Sequence, residues 1–202
     1  MKLSDVLNQP KLYSLVQAAL KTKRYEDNLS QLIGVVRQIR VLDFGCGPGD
    51  LYPRFKDCYY LGLDPLQSCI DRAQTRYGQN DTTRTFALGN QLSLKQFESG
   101  SFDLVIAIGV LHHISDEESM ELVEEVRRIL KPNSGRFITL DPVRHNDESI
   151  LSRILVSQDR GRFVRTPNHY KSLISKRLSI QQSKVLKSLI RIPYDQFATI
   201  SS

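Results

Sequence analysis

The sequence predicts an α/β protein: a doubly wound, mostly parallel sheet of seven strands, helices on both faces, ending in an antiparallel hairpin. Three observations predict it. Short apolar runs alternate with segments of helical periodicity from residue 41 to residue 141. One run, FDLVIAIGV (102–110), is apolar throughout, as a strand covered on both faces must be. The last two runs lie so close together, around Pro193-Tyr194-Asp195, that they have to pair antiparallel.

Each element has its own signal. KLYSLVQAALKTKRYEDNLSQLIGVVRQ places Leu12, Leu15, Val16, Ala19 and Leu20 at helical spacing and reads as one or two helices. VLDFG (41–45), YYLGLD (59–64), RTFALGN (84–90) and RFITLD (136–141) read as the other parallel strands. LQSCIDRAQTRYG puts Leu66, Ile70, Ala73 and Tyr77 on one helical face and stops at Gly78. In SDEESMELVEEVRRIL, Ser115 and Glu118 make a capping box, acids fill the first turn, and Arg127 and Arg128 sit near the last. Thr166-Pro167 starts a further helix with a threonine cap and proline in the first turn. QQSKVLKSLIRIPYDQFATIS supplies the final two strands.

Composition fits a globular chain long enough to bury a core: 40% hydrophobic and 25% charged over 202 residues. The longest apolar run, LVIAIGVL at 104–111, falls far short of the ~20 residues that span a bilayer. MKLSDVLNQPKLYS lacks the apolar core of a secretory signal. Cys46, Cys58 and Cys69 form an odd set without a CxxC, which predicts reduced thiols and a cytoplasmic location. The net charge of +6 is uneven: residues 1–141 sum to −1 and residues 142–202 to +7. That basic third reads either as a solvated face or as a surface for an acidic partner.

Chemistry concentrates at VLDFGCGPGD (41–50). The spacing is GxGxG, with Gly45, Gly47 and Gly49, and Asp50 stands where a dinucleotide-binding turn needs glycine or alanine for close packing. Asp43, two residues before the first glycine, would repel a pyrophosphate. S-adenosylmethionine carries no phosphate; it has a sulfonium and an ammonium, which a carboxylate favours. Asp64 follows Asp43 by 21 residues, at the end of the next strand, where a carboxylate can accept both ribose hydroxyls.

On these residues the chain resembles the class I S-adenosylmethionine-dependent methyltransferases, a Rossmann-like family, from Val41 to Leu140 and more weakly in the terminal hairpin. In motif style it is similar to the ubiquinone/menaquinone group. The resemblance implies a methionine pocket of Asp43, Phe44, Gly45, Cys46, Gly47 and Gly49. It implies ribose on Asp64 with Pro65 beside it, adenine at Asn90 and the Gln91 backbone, and a cover from Ile108 and Gly109. Asn90 stands where many members have aspartate and offers a neutral acceptor oxygen instead. It also implies one methyltransferase domain over 1–202: a helical cap at 1–38, a cofactor-binding core at 39–141, and a basic acceptor side with the terminal hairpin at 142–202.

A sulfonium-bound methyl is already activated, so the protein has to align the acceptor and, for a hydroxyl, take its proton. His112 and His113, after the fourth strand, are candidate bases. Asp141 ends the fifth strand with His145, Asn146 and Asp147 close behind, an Asp–His arrangement that is either catalytic or a helix cap. No metal is expected, because Ile108-Gly109 occupies the position where metal-dependent members need an acid. Arg160, Arg162 and Arg165, followed by Tyr170, suit a carboxylate or phosphate on the acceptor, or else pair with the acidic helix at 116–125. Tyr13, Arg24 and Tyr25 are expected to close over the cofactor. The leading reading is a small-molecule acceptor, including an anionic one, methylated at oxygen, nitrogen or carbon. The alternative is a nucleic acid or protein docked on the basic third, against which GVLHH replaces the Asn/Asp-Pro-Pro-aromatic motif of base-modifying members. A non-catalytic cofactor-binding subunit and a nicotinamide dehydrogenase remain as rivals, and both a monomer and a homodimer stay open.

Overall fold

The computed structural model describes residues 22–78, 80–146, 162–187, 189 and 195–202. The expected helix through Leu12–Leu20, Tyr13, Asp147, Arg160 and the Pro193-Tyr194 turn lie outside the described residues. One sheet of seven strands has the order β3-β2-β1-β4-β5-β7-β6. β1 (Arg40–Phe44), β2 (Tyr59–Asp64), β3 (Arg84–Leu88), β4 (Leu104–Ile108) and β5 (Arg136–Pro142) are parallel. β6 (Ile180–Leu186) and β7 (Gln196–Ser201) form the expected antiparallel pair, with β7 seated between β5 and β6. The side chains explain that order. Phe197, Ala198 and Thr199 of β7 are buried, whereas Gln181, Gln182, Ser183 and Lys184 of β6 are exposed, so the polar strand takes the edge.

Alternation along the strands builds two cores, one per face. Val41, Tyr60, Leu104 and Ile106 face α1 (Lys23–Ile33) and α2 (Gln67–Tyr77). Leu42, Phe44, Val105 and Ala107 face α3 (Asp116–Ile129) and α4 (Pro167–Ile174). The caps form as read: Glu118 N donates to Ser115 Oγ at 3.2 Å, Ser115 N donates to Glu118 Oε2 at 2.8 Å, and His169 N donates to Thr166 Oγ1 at 3.3 Å.

Three expectations are corrected. β3 ends at Leu88, because Asn90 leaves the sheet to cap the 3₁₀ turn Gln91–Gln96. β4 ends at Ile108, because Gly109 (φ +70°) turns the chain away. Leu66 precedes α2 and is exposed, so the buried face of that helix is Ile70 and Ala73. Tyr25 is buried: with Leu29 and Ile33 it forms the buried stripe of α1, and the Asp50 and Asp43 carboxylates near the glycine loop act on its hydroxyl.

Candidate functional site

Strand order reverses between β1 and β4. From β1 the chain moves outward through β2 to β3, and from β4 through β5 in the other direction, so a crevice opens at their carboxyl ends. The glycine loop leaves β1 there. Gly45, Gly47 and Gly49 all have positive φ (+75°, +54° and +75°), which explains the alternating spacing: every second residue must be left-handed. A Cβ on Gly45 would lie 2.5 Å from Val110 Cγ2, so the loops after β1 and β4 meet at that point. One on Gly49 would lie 2.9 Å from Phe86. A Cβ on Gly47 would meet nothing within 4 Å. The outer two glycines are required by packing, and the space over the middle one is open.

Two carboxylates support this loop. Asp64, at the end of β2, accepts Gly47 N at 2.9 Å through Oδ2 and Leu66 N at 2.9 Å through Oδ1. Burial raises its pKa, while those two amides and the Cys69 thiol pull it back. Asp43 sits between Gly62 of β2 and Ile106 of β4 in register and is almost fully buried. Burial pushes its carboxyl up to about 7, against a hydrogen bond of 2.5 Å from the Tyr60 hydroxyl, with Asp64 and Asp50 raising it further. The Phe44 and Cys46 side chains are buried, and burial pushes the Cys46 thiol up, so only their backbone can serve a ligand. Pro65 is exposed beside Asp64. Asn90 is exposed at the end of β3; its Oδ1 accepts Leu92 N at 3.0 Å, and Gln91 follows, half-buried. Ile108 and Gly109 are half-buried at the end of β4.

The donor set suits S-adenosylmethionine. It consists of the open space over Gly47, whose N–H Asp64 holds, with that carboxylate at the end of β2 and a second, Asp43, near the end of β1.

Beyond the crevice, His112 and Asp141 come together although 29 residues separate them. Asp141 Oδ1 accepts His112 N at 3.2 Å and lies 2.9 Å from His112 Nδ1, both residues buried. His113 is exposed, its ring centroid 3.9 Å from that of His112. His145 does not join Asp141; its Nε2 lies 2.8 Å from Asp195 Oδ2. Arg165 follows the expected alternative of pairing with the acidic helix. It is buried, with Nε donating to Asp116 Oδ1 at 2.7 Å, Nη1 to Leu111 O at 2.5 Å and Nη2 to Ile114 O at 2.8 Å. It clamps the turn carrying the histidines, while Arg162 stays exposed. Tyr170 is buried under that turn and donates to Pro142 O at 2.9 Å. Among the described residues, no group of three or more His, Cys, Asp or Glu could hold a metal ion. No helix among them is long and apolar enough to cross a membrane.

Sequence reasoning missed Tyr60, which holds Asp43, and Val110, which makes Gly45 obligatory. Both read as ordinary core positions; an unpaired aspartate inside an apolar strand was the one signal that a buried donor had to exist.

Comparison with known proteins agrees with this geometry. Residues 41–133 match the family described as "Methyltransferase domain". The chain is similar to the sterol 24-C-methyltransferase of Aspergillus fumigatus, 34% identical over 115 residues, 54% of this chain and 29% of that protein. It is also similar to the tRNA (carboxymethyluridine(34)-5-O)-methyltransferase of Mus musculus, 32% identical over 99 residues, 48% of this chain and 14% of that one. The matched stretch thus spans less than a third of either relative's length. A SAM-dependent methyltransferase from Methanosarcina mazei shares the fold, with a TM-score of 0.68 and 20% identity over 90% of this chain and 98% of that one.

Proposed function

We propose, from the premise that this chain carries a class I, S-adenosylmethionine-dependent methyltransferase domain, that it transfers a methyl group to a small-molecule or biosynthetic-intermediate acceptor. The observation that carries the cofactor reading is the unfilled space over Gly47, whose N–H the Asp64 carboxylate holds. Gly45, Gly47 and Gly49, with Asp43 and the backbones of Phe44 and Cys46, would hold the methionine part. Asp64 would take the ribose hydroxyls beside Pro65, Asn90 and Gln91 the adenine, and Ile108 and Gly109 would cover the sulfonium side. The bound cofactor supplies an activated methyl; the chain's own residues exclude water and orient the acceptor. We place the acceptor at the turn of His112 and His113 and the end of β5 at Asp141. Residues 1–38 as a helical cap, 39–141 as the cofactor-binding core and 142–202 as the acceptor side would make one domain, acting as a monomer or homodimer in the reducing cytoplasm that the three free thiols suit.

Two observations favour a small acceptor. Arg165 and Arg177 of the basic third are ion-paired to Asp116 and Glu124 of α3 rather than spread as a docking face. The turn after β4 is clamped inward by Arg165. A nucleic-acid acceptor is the second reading, favoured by the net +7 of residues 142–202 and by the likeness to a tRNA methyltransferase.

Titration calorimetry with S-adenosylhomocysteine tests the first step. Binding is expected, with Asp64→Asn weakening it about 10- to 100-fold, or ~1.4–3 kcal/mol. Binding of NAD instead would overturn the reading. Methyl-labelled S-adenosylmethionine with a cell extract tests the second: label that survives ribonuclease and protease supports a small acceptor, and label lost to either refutes it.

A further inference from the structure

We propose that the cavity beside the His112–His113 turn binds the acceptor, and that the acceptor is a zwitterion: a small molecule of the amino-acid class, carrying a carboxylate and an ammonium. This rests on the methyl-transfer reading above and deepens it by naming the acceptor's charge pattern. The cavity, about 540 Å³, lies where the N-termini of α3 and α4 meet the chain that follows β5. Backbone contacts fix its place. Val143 and Arg165 form a parallel bridge, Arg144 N donates to Arg165 O at 3.0 Å, and Phe163 N donates to His112 O at 3.0 Å. The cavity therefore borders the turn after β4, at the carboxyl edge of the sheet that the glycine loop also occupies.

Asp116, Glu117, Arg144 and Arg165 line it, and these charges divide into two kinds. Asp116 and Arg165 are spent on each other and on the fold. Asp116 Oδ1 accepts Arg165 Nε at 2.7 Å, and its Oδ2 lies 2.7 Å from His169 Nε2. The other two guanidinium nitrogens of Arg165 donate to Leu111 O and Ile114 O. Burial works to raise the Asp116 carboxyl, but the hydrogen bonds from Arg165 and His169 outweigh it and hold that carboxyl below the ordinary aspartate range. Arg144 and Glu117 differ. Both are exposed, and among the described residues neither side chain has a hydrogen-bond or ion-pair partner, not even the other.

Two opposite charges that line one cavity without pairing complement a ligand that carries both signs. Arg144 would take the carboxylate through its fork of donors, and Glu117 the ammonium. The Phe163 ring, 36% exposed in the same cavity, offers an apolar face to the body of the ligand, with the Arg165 guanidinium carbon 5.6 Å from its centroid. The charge sum argues against the rivals. With Asp116 offset by Arg165, Glu117 cancels Arg144. A phosphate or a nucleic-acid backbone would then meet as much repulsion as attraction, and so would a simple amine. A zwitterion satisfies both side chains and leaves neither charge unpaired beneath it.

Three measurements on the full chain decide it. The probes are L-phenylalanine, which has both charges and a ring, and two analogues that each lack one charge, 3-phenylpropanoate and 2-phenylethylamine. In ¹⁵N-labelled protein, L-phenylalanine is expected to shift the amides of Glu117, Arg144 and Phe163 with a Kd of roughly 1–10 mM, the range for a fragment of its size. Each analogue should bind at least about threefold more weakly. Binding of either analogue as tightly as L-phenylalanine, or no shifts by about 50 mM, overturns the proposal. Arg144→Met should weaken L-phenylalanine about 3- to 10-fold and erase its advantage over 2-phenylethylamine. Glu117→Gln should erase its advantage over 3-phenylpropanoate. Unchanged affinity in both variants, with the amide spectrum showing that the fold is kept, overturns it. Finally, a cell extract is fractionated before incubation with methyl-labelled S-adenosylmethionine. The fraction that supports labelling is expected to be retained by a cation exchanger in acid and by an anion exchanger in alkali, as an amphoteric acceptor is. Acceptor activity retained by only one exchanger or by neither, or found in no fraction, overturns the proposal. Absence of S-adenosylhomocysteine binding would defeat the methyltransferase reading as a whole, whereas that binding with the wrong probe or the wrong fraction defeats only the zwitterion.

Discussion

Gly45→Ala and Gly47→Ala should fail in opposite ways, although two residues and one motif separate them. Both positions have positive φ, which costs an L-residue about 1–2 kcal/mol. At Gly45 the new methyl would also lie 2.5 Å from Val110 Cγ2, in a junction between two loops that carry strand ends and cannot easily separate. Overpacking of that kind adds about 1–3 kcal/mol, for a total of roughly 2–5 kcal/mol. For a chain of this length that lowers Tm by roughly 4–20 °C. At Gly47 the methyl would meet nothing within 4 Å, so only the backbone cost of about 1–2 kcal/mol remains and Tm should fall by roughly 2–8 °C. Binding should reverse the order. The Gly47 methyl would intrude where the proposed methionine group lies, so Gly47→Ala should bind S-adenosylhomocysteine at least about tenfold more weakly while still folded. Thermal unfolding by circular dichroism and calorimetric titration of the two variants measure both effects. Equal losses of Tm, or a Gly47→Ala variant that binds like wild type, would refute the division between a packing glycine and a ligand-facing one.

Asp43 should make stability fall as pH rises. Its folded pKa, about 7, lies above the 3.8 of an ordinary aspartate, so the folded protein binds the proton more tightly than the unfolded chain. The stabilisation is complete below about pH 4 and is lost as pH rises to about 7, at most ~4 kcal/mol. Urea midpoints across that range should show the slope, and Asp43→Asn should flatten it. Arg165→Met should cost roughly 2–4 kcal/mol, because Leu111 O and Ile114 O lose their donor and Asp116 loses its ion pair. Arg165→Lys should recover less than half, since an ammonium cannot span a guanidinium's fork. S-adenosylhomocysteine affinity should stay within about threefold in both, and a larger change would put Arg165 in the cofactor site instead.

The fold was legible because its signals are local. VLDFG, YYLGLD and LVIAI carry the apolar runs of buried parallel strands, Ser115 and Glu118 mark a helix start within four residues, and the closeness of the last two runs dictates their antiparallel pairing. The cofactor crevice was legible for a related reason: Gly45, Gly47 and Gly49 are contiguous, and their spacing is the imprint of three left-handed turns. What stayed hidden depends on contacts far apart in the chain. Periodicity assigns Tyr60 to a core face without saying that its hydroxyl must meet Asp43. It leaves Arg165 between an acceptor's anion and the acidic helix 116–125 without choosing Asp116, 49 residues earlier, which holds it. The order of β6 and β7 was hidden too, although the exposed QQSK of β6 against the buried FAT of β7 contained it. The acceptor side shows the same division. The residue types His112, His113 and Asp141 are visible in the sequence, but the choice between the histidines is not. That choice is made by the pairing of β4 with β5, which brings one imidazole under a buried carboxylate and leaves its neighbour in solvent. Chemistry that one segment can hold is written in the sequence, and chemistry that two segments share becomes visible only when the sheet has brought them together.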